Sequence, residues 1–198
     1  MKRIVLVTTA LLASGALCAQ TPAEREKAVK YLQQTRDGVV AATKGLSDAQ
    51  MKFKAGPDRW SVAETLEHIS KAEGFLLQNT ADQIMKAPAP PAEGRDNAKI
   101  DAFVLAALPD RSHKAQAPEP LVPSSGVTPA ESLDLFLKSR AKTIAFVEST
   151  QGMREHAVDS PLGQKLDAYQ WVLFIAGHSE RHTKQILEVK ADPNFPKK

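Results

Sequence analysis

The chain has 198 residues, of which 42% are hydrophobic and 25% charged, a balance that fits one globular domain with a sizeable core. Its formal charge of +3 falls to about +1 once Lys2 and Arg3 are set aside, and no basic stripe interleaved with aromatics appears, which argues against a nucleic-acid partner. Cys18 is the only cysteine, so thiolate chemistry has little to work with.

Met1 to Ala19 reads as a secretory signal. Lys2 and Arg3 form the charged start, Ile4 to Leu12 the apolar middle, and Leu17-Cys18-Ala19 a small-residue exit before Gln20. The apolar run is too short to span a bilayer, so no stable membrane insertion is expected. Leu17 is a poor match for the small residue a lipoprotein signal places before its cysteine. Cleavage after Ala19 is therefore expected, giving a periplasmic or secreted chain without cysteine and hence without disulfides or thiolate ligands.

Thr21-Pro22-Ala23-Glu24 has the form of a capping box with proline at the first helical position, and a helix is expected from there to about Lys44, stopped by Gly45. Val29, Leu32, Val39 and Val40 supply its apolar positions. Ser47 with Gln50 starts one short turn. Gly56-Pro57-Asp58 breaks the chain, and Trp60-Ser61-Val62-Ala63-Glu64 opens a second helix to about Lys86, with Val62, Leu66, Ile69 and Leu76 as its stripe. His68 lies at the border of that stripe.

Residues 87–127 change character. They hold more than half of the thirteen prolines, yet Ile100, Phe103, Val104 and Leu105 make Asn97 to Leu108 apolar enough for a short helix. An ordered excursion over the bundle fits this composition better than a flexible linker. Thr128-Pro129-Ala130-Glu131 repeats the first cap letter for letter and starts a third long helix to about Thr150, through Leu133, Leu135, Phe136, Leu137, Ile144, Phe146 and Val147. Ser160-Pro161-Leu162-Gly163 turns the chain into a fourth helix capped by Asp167, and residues 191–198 form a proline-containing tail. No β-period stands out. The fold class is all-α, a four-helix bundle over residues 20–190 with a long Pro-rich crossover between its second and third long helices.

Tyr169 to Val189 carries the chemistry. Trp171, Phe174, Ile175, His178, His182, Gln185, Ile186 and Val189 recur at spacings of three and four, which puts them on one helical face. His178 and His182 then lie about 6 Å apart along the axis, and both rings can reach one metal ion. A pair alone binds weakly. His68 sits about 10 Å inside the start of its helix and His182 about as far inside the end of the last one, so antiparallel packing of the two brings all three to one level. Three neutral imidazoles leave a coordination position open, as catalytic zinc sites do. Three unrelated polar side chains at the edge of the core would give the same spacing, and the residues alone leave both readings standing.

Other metal patterns fail. Ser179 stands where a zincin would place glutamate, and Glu180 is turned by ~200° from His178. No histidine of the three has glutamate three residues before it, as a di-iron bundle requires. Cys-x-x-Cys-His is absent. His113 and His156 lie in loop-like stretches without a ligand role. Glu64 completes its capping box, with orientation of the His68 ring as the alternative. Glu180 and Arg181 read as solvated face, and Trp171 as core. No nucleophile–base pair is legible.

Trp60-Ser61-Val62-Ala63-Glu64-x-x-x-His68, taken with His178-x-x-x-His182-x-x-Gln185-Ile186, resembles the DinB-like superfamily over nearly the whole stretch from Thr21 to Val189. The resemblance implies an up-down-down-up bundle and a divalent metal ion, zinc or nickel, held by three histidines that map onto His68, His178 and His182. Some members are thiol-dependent transferases or isomerases, and others are proposed metal-dependent hydrolases. A signal for export departs from the cytoplasmic thiol transferases, because low-molecular-weight thiols are scarce outside the cytoplasm. The expected function is that of an exported metal-dependent enzyme acting on a small molecule, with a homodimer left open. The alternative is a non-catalytic exported bundle with a structural or vestigial metal site.

Overall fold

In the computed structural model, which describes residues 20–91, 93–124 and 126–197, each long helix starts where a side chain can satisfy its first free amides. Thr21 opens α1 (Pro22–Thr43), Ser61 α3 (Val62–Asp82), Thr128 α5 (Pro129–Ser149) and Asp167 α6 (Ala168–Lys190), and in all four the reciprocal bond from the residue three on is also made. The short α2 (Asp48–Lys52) uses Ser47 and Gln50 in the same way. Gly45, at φ 68°, takes the left-handed conformation that turns the chain out of α1. The proposed signal, Met1 to Ala19, lies outside the described residues.

Side-chain pairing fixes the topology. Tyr31 meets Glu180 and Lys190 reaches the Ala42 carbonyl, so α1 and α6 run the same way. Arg25 binds the carbonyls of Val147 and Thr150 while Arg140 binds that of Leu32, so α1 and α5 are opposed. Phe136 clusters with Val62, Leu66 and Ile69, and Val147 with Leu76 and Ile84, so α3 and α5 are parallel. The N-terminal part of α3 shares its apolar cluster with Ile186 and Val189 near the end of α6, making those two helices antiparallel. The result is an up-down-down-up four-helix bundle.

The apolar core forms two clusters. One holds Leu32, Leu76, Leu166, Tyr169, Leu173 and Ile175; the other holds Val39, Leu66, Ile69, Phe136, Ile186 and Val189. Burying a side chain of this size contributes about 1.5–3 kcal/mol, before the entropy of ordering it. A polar belt also crosses the interior. Arg140, with no exposure, places its guanidinium against both oxygens of Glu73 at 2.7 and 2.8 Å. Its remaining hydrogens go to the Leu32 carbonyl, Thr35 Oγ1 and Ser179 Oγ, so all five donors are used. Thr143 donates a further bond to Glu73. All four long helices therefore meet at one arginine.

Several expectations need correction. Leu135 and Leu137 are exposed, and the inward positions of α5 are Ser132, Phe136, Arg140, Thr143 and Val147. The α-helix of α3 ends at Asp82, and Ile84–Lys86 is a separate 3₁₀ turn. Residues 157–167 form a hairpin, β1 (Ala157–Asp159) against β2 (Lys165–Asp167), with Val158 opposite Leu166. Strands of three residues are too short to show a period of two.

The crossover between α3 and α5 contains α4 (Asn97–Ala107), which packs on α6. Its N-terminal half is pinned by Arg154, whose guanidinium reaches Asp101 at 2.7 Å, Asp167 at 3.1 Å and Glu24 at 2.6 Å, and lies 4.1 Å above the Tyr169 ring. Where α4 ends, Leu108 rests on Gly177: a Cβ added to that glycine would come within 2.8 Å of the Leu108 Cβ. The chain from Leu108 to Ser124 then runs as a strap across the groove between α6 and α3.

Candidate metal centre

His68, His178 and His182 come together where α3 and α6 cross, each offering a ring nitrogen, and these nitrogens all lie within 4.8 Å of one another. His68 Nε2 and His178 Nε2 are 3.2 Å apart, close to the ~3.3 Å that two nitrogens subtend at a tetrahedral ion with bonds of ~2.0–2.1 Å. The widest pair needs to close by at most about 1.5 Å to match, a movement within reach of χ rotations. His68 is not a border residue. It is 3% exposed, as deep as the leucines beside it, while His178 stays partly exposed.

The hydrogen bonds decide which nitrogens are bare. His68 Nδ1 lies 2.8 Å from the Leu121 carbonyl, an acceptor only, so Nδ1 carries the hydrogen and Nε2 keeps its lone pair. His182 Nδ1 lies 2.9 Å from Gln185 Oε1, which fixes the same tautomer there. Two lone pairs 3.2 Å apart would repel, whereas a cation between them, or one hydrogen on His178, removes the conflict. Although His178 keeps some exposed surface, the crowding of its ring by surrounding atoms, with smaller contributions from His68, Arg181 and Arg140, pushes its imidazole below the ordinary value. Burial likewise lowers His68, and burial together with the two neighbouring histidines holds His182 well below its ordinary value. All three are therefore neutral at pH 7, the form that binds a cation. Three neutral imidazoles suit borderline transition metals such as zinc or nickel, so the donor set fits the ion the sequence pattern implies.

The cluster is flanked by Trp60 and by the strap. Trp60, just before the Ser61 cap, lays its ring 4.8 Å from that of His68 and 6.4 Å from that of His182. Glu64 bonds to Ser61 N and Lys54, not to His68, so it caps the helix only. The strap supplies the other wall. Besides Leu121, it sends the Val122 carbonyl to Lys71, and Ser124 to Glu67 through both its amide and its hydroxyl. Burial acts to raise the Glu67 carboxyl, but Lys71 and Ser124 outweigh it and bring it to about 2. At its other end Arg111 grips both oxygens of Glu188 and reaches Gln185 Oε1, while Arg181 donates to the carbonyls of Asp110 and His113. Arg181 is therefore a clasp for the strap, and Glu180 accepts from Tyr31; neither is simply solvated. His113 and His156 stand apart from the cluster, the latter bonded to the Ala87 carbonyl. Trp171 is buried in the core, as its spacing suggested.

Fold and site together define a class: four-helix bundles of up-down-down-up topology with three imidazoles converging between the helices, a metal-binding arrangement. The model of the DinB superfamily matches residues 31–186, and the chain belongs to that superfamily. YuaE of Bacillus subtilis (strain 168), an uncharacterized protein, is 28% identical over 151 residues, covering 74% of this chain and 87% of its own. A solved structure of YfiT from Bacillus subtilis, reported as a probable metal-dependent hydrolase with an unusual four-helix bundle topology, superposes with a TM-score of 0.58. It covers 89% of this chain and 91% of YfiT; at 13% identity the likeness is one of fold.

Proposed function

We propose that the protein is an exported metal-dependent enzyme in which His68, His178 and His182 hold one divalent ion, zinc or nickel, and act with it on a small molecule. The observation that carries this is the convergence of three neutral imidazoles, two of them bonded through Nδ1 to an oxygen, the Leu121 carbonyl and Gln185 Oε1, in the tautomer that leaves Nε2 bare. When bound, such an ion supplies Lewis-acid polarisation and acidifies a water or thiol that approaches it. The chain's own part is to orient the rings through Leu121 and Gln185, and to keep water from one side with the indole of Trp60. Hydrolysis is the preferred reaction class over thiol transfer, because the proposed export through residues 1–19 takes the protein away from low-molecular-weight thiols. The hydrolase description of YfiT points the same way. Among the described residues no helix is long and apolar enough to cross a membrane.

A second reading treats the ion as a structural staple. The strap favours it, since a segment tied to both ligand helices around the histidines limits what can enter. Metal analysis of protein purified without a polyhistidine tag, followed by assays on simple ester, amide and phosphate substrates, separates the two. Stoichiometric zinc or nickel with metal-dependent turnover supports the enzyme; stoichiometric metal without turnover, lost together with thermal stability on chelation, supports the staple. Replacing any one histidine by alanine leaves two ligands and should abolish metal retention. Full retention in His178→Ala or His182→Ala would end both readings.

A further inference from the structure

Gln185 is an amide, and an amide presents either its oxygen or its nitrogen to a neighbour. If the oxygen faces His182 Nδ1, that nitrogen must carry the hydrogen and Nε2 is free; if the NH₂ faces it, Nδ1 must be bare and the hydrogen moves to Nε2, the atom that a metal needs. A neighbour that can only donate settles the choice. Arg111 Nη1 lies 3.3 Å from Gln185 Oε1, and a guanidinium has no acceptor to offer the amide nitrogen. Arg111 is itself held in place, since its Nε and Nη2 engage the two oxygens of Glu188 at 2.6 and 2.8 Å. Glu188 also receives Arg59 at 3.4 Å. The fork geometry matters here, because only a guanidinium has two parallel donors for the carboxylate and a further one to spare for Gln185.

We propose that Arg111, a strap residue whose hydrogen bonds go to Glu188 and Gln185 and not to a proposed ligand, is a positioning residue for the metal centre: by fixing the Gln185 amide it selects the Nδ1–H tautomer of His182 and keeps Nε2 bare for the ion. This rests on the three-histidine reading of the site, and it adds to that reading a control from outside the two ligand helices. The Leu121 carbonyl does the same for His68 without any choice, since a carbonyl can only accept. Both ends of the strap thus set the tautomer of a ligand, one directly and one through a relay. Metal binding and docking of the strap are coupled, and each strengthens the other by the same factor.

The relay makes a prediction that a mere structural clasp does not. A carboxylate at position 185 accepts on both oxygens and needs no arginine to orient it. The tautomer is read in the metal-free full chain by long-range proton–nitrogen NMR on ¹⁵N-histidine-labelled protein at about pH 8, where free imidazole, of pKa about 6.5, is neutral. The parent should give His182 with a protonated Nδ1 and bare Nε2. Arg111→Leu and Arg111→Lys should both give mixed tautomers, the lysine variant because it keeps the charge for Glu188 but lacks the fork. Arg111→Leu combined with Gln185→Glu should restore the parent pattern. Zinc affinity, measured by competition with a chromogenic chelator, should fall about 10- to 100-fold in the two single variants and return in the double one, the usual range for loss of a partner behind a ligand. An unchanged His182 spectrum in both Arg111 variants, or failure of Gln185→Glu to restore it, overturns the relay. The nitrogen spectrum needs no metal, so a parent protein that shows the expected tautomers yet binds no zinc would refute the metal reading and leave the positioning role standing.

Discussion

Replacing Arg140 by methionine tests how the bundle holds its ligand helices in register. The arginine is fully buried, and its five donors go to Glu73 on α3, Leu32 and Thr35 on α1, and Ser179 on α6. Methionine fills much of the volume but leaves Glu73, 2% exposed, with Thr143 as its remaining donor from α5. Removing one partner of a buried ion pair costs about 3–5 kcal/mol, because the other charge stays desolvated and uncompensated. Against a total of about 5–15 kcal/mol for a domain of this kind, that loss is a large share. Urea unfolding followed by circular dichroism should therefore show a markedly lower midpoint with little change in slope. The paired replacement Arg140→Met with Glu73→Leu removes both charges and should recover most of the loss, since apolar substitutes for a buried pair are often neutral or better. A loss below about 1 kcal/mol in the single variant would show that water reaches Glu73 and that the belt does not hold the helices in register.

Gly177→Ala places a methyl carbon 2.8 Å from the Leu108 Cβ, so α4 and the start of the strap must shift; a cost of about 1–3 kcal/mol in thermal or urea unfolding is expected, and an unchanged midpoint would mean that the contact gives way freely. The metal-free protein should lose stability as the pH falls below about 6.5, the unfolded histidine value. Its three clustered histidines have folded-state values below that, so the unfolded chain takes up protons first. Their contribution is complete above that pH and is lost on the way down toward the folded values, at up to about 1.4 kcal/mol per pH unit for each histidine. Unfolding midpoints that stay flat between about pH 7 and 5 would contradict this. Thr128→Ala removes one half of an exposed capping box and should cost about 1 kcal/mol, read by the same urea titration.

Much of this was legible in the sequence, and the reasons differ by element. The four long helices announce themselves by Thr21, Ser61, Thr128 and Asp167, because caps are local chemistry with fixed offsets. The histidine pair on α6 needed only helical periodicity, and His68 only the assumption of antiparallel packing. Arg140 was hidden because an arginine between Lys138 and Lys142 on a helix looks like surface until its partners from three other helices are known. Leu135 and Leu137 misled for the mirror reason: apolar residues are common on surfaces, and only the tertiary packing tells which leucines turn inward. Gln185 stood three residues after His182, within reach on one helical face, so its bond to the ring could have been read from spacing. Arg111 gave no such signal, since a loop has no period and its contacts depend on where the strap lands.

Arg140 and Arg111 act on the same centre at different levels, and this separates what each can change. The belt around Arg140 sets the register of α3 against α6, joining Glu73, five residues beyond His68, to Ser179, the neighbour of His178. It fixes backbones. The strap touches the rings themselves, through Leu121 at His68 and through Arg111 and Gln185 at His182. It fixes which nitrogen is bare. A bundle interior can hold two helices to within a fraction of an ångström because it is close-packed, but packing cannot tell one tautomer of an imidazole from the other, since the two have the same shape. Only a hydrogen-bond partner of defined polarity can do that, and the two faces between α3 and α6 that are not core are the places where such partners can come from a loop. The two levels should therefore dissociate in experiment. Arg140→Met should lower the unfolding midpoint while the molecules that remain folded keep the parent His182 tautomer, and Arg111→Leu should leave the midpoint of the metal-free protein nearly unchanged while giving mixed tautomers and weakening zinc. Parallel losses of stability and of the His182 tautomer in both variants would mean that register and ring orientation are one cooperative unit, and that the strap belongs to the core it crosses.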